Sequence, residues 1–497
     1  MKQAVDVVLM TVPNNMNKVV GWGAKFVTPL APYGLLYLAA SLRQAGISCK
    51  ILDCYALSLG VQEAIEFLDE TQPKVVGLSI MTSQAFVACE MMKQFRTRFP
   101  RLKIVLGNLH ADIFVEWFLS RTLADAVVHG EGEATFTELC HAYLHDGDLT
   151  TIQGLSFADP QTGEIRHTAA RPMLTNLDAI PLPAWDLVPQ KIYRFPFYYG
   201  YPSASNPKTA THLFTSRGCP YNCIFCTVHK NKTIRYHSVP RIIEELTILT
   251  TRQGAQYVFF MDSLFTTTPQ RVTEICEGIL QSGLKFLWGC EGRVNFAAKY
   301  PDILKLMRKA GCVQIAYGIE SGDEAVLKRV KKQLTIAQVE QAVWNTKAAN
   351  IESIGLFMLG LPGDTAQTMR KTIDLSKRLP FAFAQFAITT PFPGSELYYE
   401  LVREKKIDPY AWDQFSQYAS LSSGKEELVY VPDGLTVADL YRWQKTALRE
   451  FYLRWPPIWR TIKNFRPRMI PELTYSAMIM ASTILKRSSS AQDAKKA

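Results

Sequence analysis

Three cysteines stand within eight positions of this 497-residue chain: Cys219, Cys223 and Cys226, in the stretch SRGCPYNCIFCTVHK, with His229 three residues further on. Thiols at this spacing can close a disulfide knot, hold zinc or seat an iron–sulfur cluster. A structural zinc site takes four ligands, typically as two pairs on separate turns. Here any four would be bunched in one segment, and the other seven cysteines (49, 54, 89, 140, 276, 290 and 312) are scattered singly. Three thiolates alone leave one iron of a cubane cluster without a protein ligand. That is an open position of the kind catalytic metal sites keep.

The composition is ordinary for a globular chain, 47% hydrophobic and 20% charged, and the length suits two to four domains. The net charge of +10 is spread along the chain, with some gathering after Arg442, and reads mostly as solvated surface. The N-terminus MKQAVDVVLMTVP lacks the apolar core of a secretory signal, and no run is long enough to span a bilayer. A cytoplasmic chain with reduced cysteines is expected, which removes the knot.

The elements around the motif alternate strand and helix. Over residues 1–150, VDVVLMTVP, CKILDCY, KVVGLSIMT, LKIVLGN and ADAVVHGEGE read as strands. Between them run helices, among them YGLLYLAASLRQAG and patterns near 61–70, 84–98, 112–122 and 134–145. Buried strands alternating with helices predict a doubly wound parallel sheet, whose ligands lie beyond the carboxyl ends of the strands. Residues 151–206 lose periodicity and read as a linker with one hairpin at LSFADPQTGEIRH. From residue 207 to 410 about six further strand–helix units predict a partial barrel, short of the eight of a closed one. A helical, aromatic and basic region follows over 411–487, and residues 488–497 read as a disordered tail.

With these elements in place, the Cys-X3-Cys-X2-Cys spacing and Phe225 before the last cysteine resemble the signature of the radical S-adenosylmethionine (SAM) superfamily. MDSLFT, CEGRVNF, YGIESG and LFMLGLPGDT follow at the carboxyl ends of successive strands, as in that family. The resemblance implies that Cys219, Cys223 and Cys226 hold a 4Fe–4S cluster, whose unique iron chelates SAM. One electron then cleaves SAM to a 5′-deoxyadenosyl radical. It also implies that Phe225 lies near the adenine and Asp262 near the methionine amino group, with Arg293 pairing with the carboxylate. Glu320 and Ser321 would reach the ribose or methionine part, and Gly360 and Gly363 would let the backbone approach the adenine. The competing readings are a structural ion pair for Arg293 and Glu320, and a turn or helix cap for Asp262.

A doubly wound domain ahead of such a barrel resembles the cobalamin-dependent radical SAM subfamily. PYGLLYLAASLRQAG, VVGLSIMTS, VLGNLHAD, VVHGEGEATFTEL, LDAIPLPAWDLVP and LREFYLRWPP carry the match over nearly the whole chain. It implies cobalamin across the strand ends near Ser79, Ser83, Gly107, Asn108, Gly130 and Glu131. No Asp-X-His-X-X-Gly follows the first strand, so no axial histidine is expected, and His110 reads as a polar residue near the pocket. The subfamily often has Gly-Gly where this chain has Gly107-Asn108, and a side chain there would crowd the nucleotide tail.

The commonest reaction in that subfamily is methyl transfer to an unactivated carbon. The alternatives are a radical oxidation or ring closure without methyl transfer, as in the anaerobic magnesium-protoporphyrin ester cyclases, and a cobalamin or metal sensor without turnover. The implied partners are a small molecule (a lipid, isoprenoid or tetrapyrrole) and an electron donor such as flavodoxin or ferredoxin. Nucleic acid is not expected. Trp443, Phe451, Tyr452, Trp455, Trp459 and Phe465 interleave with Arg449, Arg454, Arg460 and Lys463, which suits a peripheral membrane contact or a helical lid on the barrel.

Overall fold

The computed structural model describes residues 4–13, 29–159, 161–189, 192–193, 209–230, 232–415 and 428–463. The side chain of His229, Phe465 and the tail 488–497 lie outside them.

The first sheet is built from short apolar, β-branched runs: β1 Val7–Thr11, β2 Cys49–Asp53, β3 Val75–Ser79, β4 Lys103–Gly107 and β5 Ala126–Val128. All five pair in parallel, in the order β2-β1-β3-β4-β5. Their central residues are buried on both faces, as a sheet clad by helices requires. Gly77 in β3 is needed for that cladding, because a Cβ there would meet Phe136 at 2.8 Å and Leu9 at 2.9 Å. The strand order reverses between β1 and β3, and a crevice opens at such a point beyond the strand ends.

The expected linker is in part a continuation of this sheet. β6 Leu155–Ala158 and β7 Ile165–His167 form the hairpin at LSFADPQTGEIRH, and β6 pairs antiparallel with β5. Leu177, Ile180 and Trp185 beyond it are buried in the core. The helix expected near 112–122 is two short ones, Leu109–Ile113 and Val115–Leu119, interrupted at Phe114.

The second sheet has six parallel strands: β8 Ala210–Leu213, β11 Tyr257–Phe260, β12 Leu287–Gly292, β13 Cys312–Glu320, β14 Glu352–Leu359 and β15 Phe383–Ile388. Four of the helices between them start on serine or threonine caps, Ser238, Thr268, Thr335 and Thr365, whose hydroxyls accept free N–H groups of the first turn.

Six strands leave two open edges, and elements from outside the barrel cover both. On β15, Gln444 donates to the Phe386 carbonyl, and the Tyr452 hydroxyl bonds the Ala384 N–H and carbonyl; both side chains belong to the helix Val437–Tyr452. On β8, the His212 carbonyl lies 2.8 Å from the hydroxyl of Tyr33, on the first-domain helix Tyr33–Gln44. Among the described residues no helix is long and apolar enough to cross a membrane.

Candidate active site

The cysteine loop leaves the barrel because one buried carboxylate pulls the chain out of β8. Asp262, just beyond β11, accepts the Thr215 N–H at 2.6 Å, the Ser216 N–H at 2.7 Å and the Thr215 hydroxyl at 2.6 Å. The expected first strand THLFTSRGC therefore splits. Its second part becomes β9 Ser216–Arg217, paired antiparallel with β10 Arg235–Tyr236. These two short strands form the neck through which the loop goes out and returns.

Gly218 follows at φ +99°, a turn that favours glycine, and leads into Cys219. The Ile224 N–H donates to the Val330 carbonyl and the Ile224 carbonyl accepts the Leu397 N–H, fixing the loop between two barrel segments. Cys223 is buried, while Cys219 and Cys226 are partly exposed. Among the described residues no three His, Cys, Asp or Glu converge on a point that would hold a single ion.

Burial pushes the thiols of Cys223 and Cys226 up, and for Cys223 the nearby charges of Lys332 and Arg293 oppose the rise. Cations beside partly exposed thiols favour the thiolate that a metal centre needs. The donor set thus fits an iron–sulfur cluster: three thiols on one pinned loop, two reachable from outside, with positive charge beside them.

The residues around the loop divide. Arg293 lies over the Tyr221 ring, 3.2 Å from its centroid, and donates to the Lys332 carbonyl at 2.6 Å, while its Nε is buried without a partner. Lys332 pairs with Glu320 at 2.6 Å and lies 5.8 Å from the centre of the Phe225 ring. Arg293, Glu320 and Phe225 are therefore gathered at the cysteine loop.

Four of the expected residues have other neighbours within the fold. Asp262 is fully buried, and the neck engages its carboxylate. Burial raises it to about 6 despite the hydrogen bonds it accepts. Ser321 is fully buried, 3.4 Å from the Thr372 hydroxyl and accepting from the Asp323 N–H. Gly360, at φ +79°, makes room for Leu440 of the C-terminal helix, which a Cβ would meet at 2.9 Å; Gly363 faces Arg329.

Across from the neck, the strand ends of the first sheet open into a cavity of about 500 Å³. Ser79, Gly107, Asn108, Gly130 and Glu131 line it, and so do Arg217, Gly218 and Ser263 of the barrel. A Cβ on Gly107 or Gly130 would meet nothing within 4 Å, so both glycines leave the space over the strand ends open. That shape suits a broad ligand laid across the sheet, which is what the corrin of cobalamin requires.

Asn108 stands at φ +77°; its Oδ1 accepts the Leu109 N–H and its Nδ2 donates to the Ser79 hydroxyl at 3.2 Å. Ser83 does not line the cavity and is exposed on the 3-10 turn Thr82–Gln84. His110 does not line it either. It is buried against Trp412, ring centres 4.7 Å apart, and burial lowers it to about 3.

Glu131 lines the cavity and is held there by arginines. It takes a two-pronged bond from Arg235, 2.7 Å at each oxygen, with Arg217 at 3.4 Å. Burial pushes this carboxyl up, yet the two arginines overcome it and hold it below the usual range. Arg217 also pairs with Glu133 at 2.6 Å. Sequence reasoning missed this bolt between the neck and the first-sheet loops. Its one visible signal was the arginine directly before the first motif residues, in TSRGC.

Comparisons with known proteins agree with this division. Residues 19–140 match the B12 binding domain family and residues 213–376 match the radical SAM superfamily. An uncharacterized methyltransferase of Pyrococcus horikoshii is 33% identical over 389 residues, 78% of this chain and 81% of that protein. The anaerobic magnesium-protoporphyrin IX monomethyl ester cyclase of Cereibacter sphaeroides is 27% identical over 440 residues, 87% and 68% of the two chains. Among solved structures, the cobalamin-dependent SAM radical enzyme OxsB, with aqua-cobalamin and SAM bound, shares the fold at a TM-score of 0.72 and 19% identity, over 97% of this chain and 72% of that one.

Proposed function

Because this chain belongs to the radical SAM enzymes that carry a B12-binding domain, we propose that it transfers a methyl group to an unactivated carbon of a small molecule. Its cofactors are a 4Fe–4S cluster, SAM and cobalamin. Together these supply, when bound, one-electron cleavage of a sulfonium, hydrogen abstraction and a transferable methyl.

The chain's own residues would serve as follows. Cys219, Cys223 and Cys226 hold the cluster, and Lys332 and Arg293 offset its charge. Phe225, Arg293 and Glu320 face SAM from the same loop region, and Arg293 offers its unpartnered Nε to a carboxylate. Ser79, Gly107, Asn108 and Gly130 carry the cobalamin. The bolt of Arg235 and Arg217 on Glu131 and Glu133 keeps the two halves in register.

One observation carries the reading: a single cavity is lined both by the strand-end glycines of the first sheet and by Arg217–Gly218, directly before Cys219. A methyl donor and a hydrogen-abstracting centre must approach the same carbon, and one shared space allows it. The test is anaerobic reconstitution with iron, sulfide and cobalamin, a flavodoxin or ferredoxin as electron donor, and SAM labelled in its methyl group. A labelled product heavier by a methyl, with 5′-deoxyadenosine, supports transfer. A product that has lost hydrogens without gaining the label supports the second reading, ring closure, which the cyclase relative favours. No 5′-deoxyadenosine at all overturns both.

The substrate class we favour is a lipid, isoprenoid or tetrapyrrole. Trp455, Trp459 and Ile462 lie on one exposed face of the helix Trp455–Lys463, 67%, 52% and 56% accessible, next to Lys463. An apolar face with basic flanks suits contact with an anionic membrane. Flotation with anionic but not neutral vesicles at low salt is the expected outcome, and full recovery in the soluble fraction overturns the membrane contact.

A further inference from the structure

A buried ion pair stands beside the cysteine loop, and the backbone is strained on both sides of it. Lys332 Nζ lies 2.6 Å from Glu320 Oε1, with the two side chains 11% and 10% accessible. Glu320 ends β13 at φ +69°, where the pairing with β14 slips between Gly318 and Glu320. Lys332 stands between Lys331 at φ +56° and Gln333 at φ +52°. The left-handed region disfavours all three of these side-chain-bearing residues. The pair also needs a bare strand beneath it. A Cβ on Gly318 would meet Glu320 Oε1 at 2.6 Å and Lys332 Nζ at 2.9 Å.

Stability does not explain this arrangement. A buried ion pair gains little over apolar residues of similar size, and three left-handed residues add strain. Bulges and strained residues gather where a side chain must be aimed. Here the turn 330–333 does the aiming. Its Val330 carbonyl accepts the Ile224 N–H, its Lys331 carbonyl lies 3.9 Å from Cys223 Sγ, and its Lys332 carbonyl accepts from Arg293. The backbone that carries Lys332 is therefore the backbone that carries the cysteine loop.

An ammonium has three hydrogens to give, and among the described residues Glu320 is the hydrogen-bond partner of Lys332. The same ammonium lies 5.8 Å from the centre of the Phe225 ring, directly before Cys226. Its charge bears on both Cys223 and Cys226, and at Cys223 it outweighs that of Glu320.

Resting on the reading that the three cysteines hold a 4Fe–4S cluster, we infer that the Lys332–Glu320 pair sets the reduction potential at this site, the ammonium raising it and the carboxylate lowering it. Reduction by a flavodoxin or ferredoxin adds one electron to the site. No bond forms or breaks and no proton moves, so the site becomes more negative by one charge. A fixed cation in a water-poor surrounding favours the more negative state, and a fixed anion disfavours it. Lys332 thus eases entry of the electron and Glu320 restrains it. Their mutual bond and the strained backbone keep both charges at constant distance from the thiols.

The test is a redox titration of the reconstituted full-length protein without SAM, followed by the paramagnetic resonance signal of the reduced cluster, with iron measured on every sample. Lys332→Met should make the cluster about tenfold harder to reduce, a fall of about 59 mV for one electron. Glu320→Gln should shift the potential the opposite way. Lys332→Arg should keep the wild-type value. Lys332→Met combined with Glu320→Gln leaves neither charge buried alone; its potential should also fall below wild type, by less than Lys332→Met alone. A pair that only braces the loop predicts otherwise: both single variants would lose iron or shift the potential in one direction. Either of those results overturns the inference, and so do unmoved potentials at full iron content. Wild-type protein that loads no cluster overturns the reading beneath it as well.

Discussion

The cysteine loop and the first-sheet cradle both sit at the carboxyl ends of parallel strands, yet they are shaped by opposite means. The loop is held by buried polar groups: Asp262 grips the neck, and barrel segments pin Ile224. The cradle is shaped by missing side chains, with open space over Gly107 and Gly130. A loop that must present three thiols in register needs rigid anchors. A surface that must accept a broad ligand needs room. Damage should therefore act on folding and cluster content at the loop, and chiefly on ligand affinity at the cradle.

Four sets of substitutions probe this contrast. The largest effect is expected for Cys219→Ala, Cys223→Ala or Cys226→Ala, each of which should abolish cluster loading and 5′-deoxyadenosine formation; iron content and product analysis read it. Asp262→Ala comes next. It leaves two N–H groups and a hydroxyl without a partner in a buried neck, which should cost about 3 kcal/mol and lower cluster content at the same time. A thermal melt with iron analysis checks both. If the cluster loads normally on a destabilised chain, the neck is not what positions the thiols.

The third prediction concerns the seam between the regions. The Tyr33 hydroxyl lies 2.8 Å from both Glu245 and the His212 carbonyl, and one hydroxyl proton cannot serve two acceptors. Glu245 must bring a proton of its own, and burial accordingly raises its carboxyl to about 7. The folded state then binds a proton that the unfolded state releases near its ordinary 4.5. Stability from this group is full below the unfolded value and is lost as pH climbs toward 7, by about 3 kcal/mol in all. Glu245→Gln should remove that part of the pH dependence and raise the melting temperature at pH 8 relative to wild type. A parallel pH profile for the two proteins would mean that Glu245 carries no such proton.

The smallest effect is the most diagnostic. Gly107→Ala enters open space and should leave the melting temperature almost unchanged while weakening cobalamin binding, followed by the cofactor's visible absorption. Gly130→Ala should in addition cost about 1 kcal/mol, because Gly130 stands at φ +66°. Cobalamin affinity equal to wild type in both variants would place the ligand elsewhere.

Most strands of both sheets were legible, because buried parallel strands are unbroken apolar runs such as YVFF and VVGLS. The break after β8 was not. Nothing in THLFTSRGC says that Asp262, 47 positions away, removes its second half from the sheet. Glu131 was read as a cofactor neighbour and does line the cavity, but its partner Arg235 is 104 positions distant and invisible to local pattern. Ser83 was implied by the resemblance, but the chain turns after β3 and Ser83 does not line the cavity. The tail showed its aromatic and basic residues plainly, but not that the polar groups of Gln444 and Tyr452 would bond the edge of β15.

The sequence by itself determined the chemistry this protein can hold: three thiols at a cluster spacing, and glycines at strand ends. Both depend on residue type and short spacing, which a linear chain records directly. Tertiary structure alone decided which polar groups remain available to ligands. Asp262, Ser321 and Glu131 are engaged by partners far along the chain, and only folding brings a donor within reach of a buried acceptor.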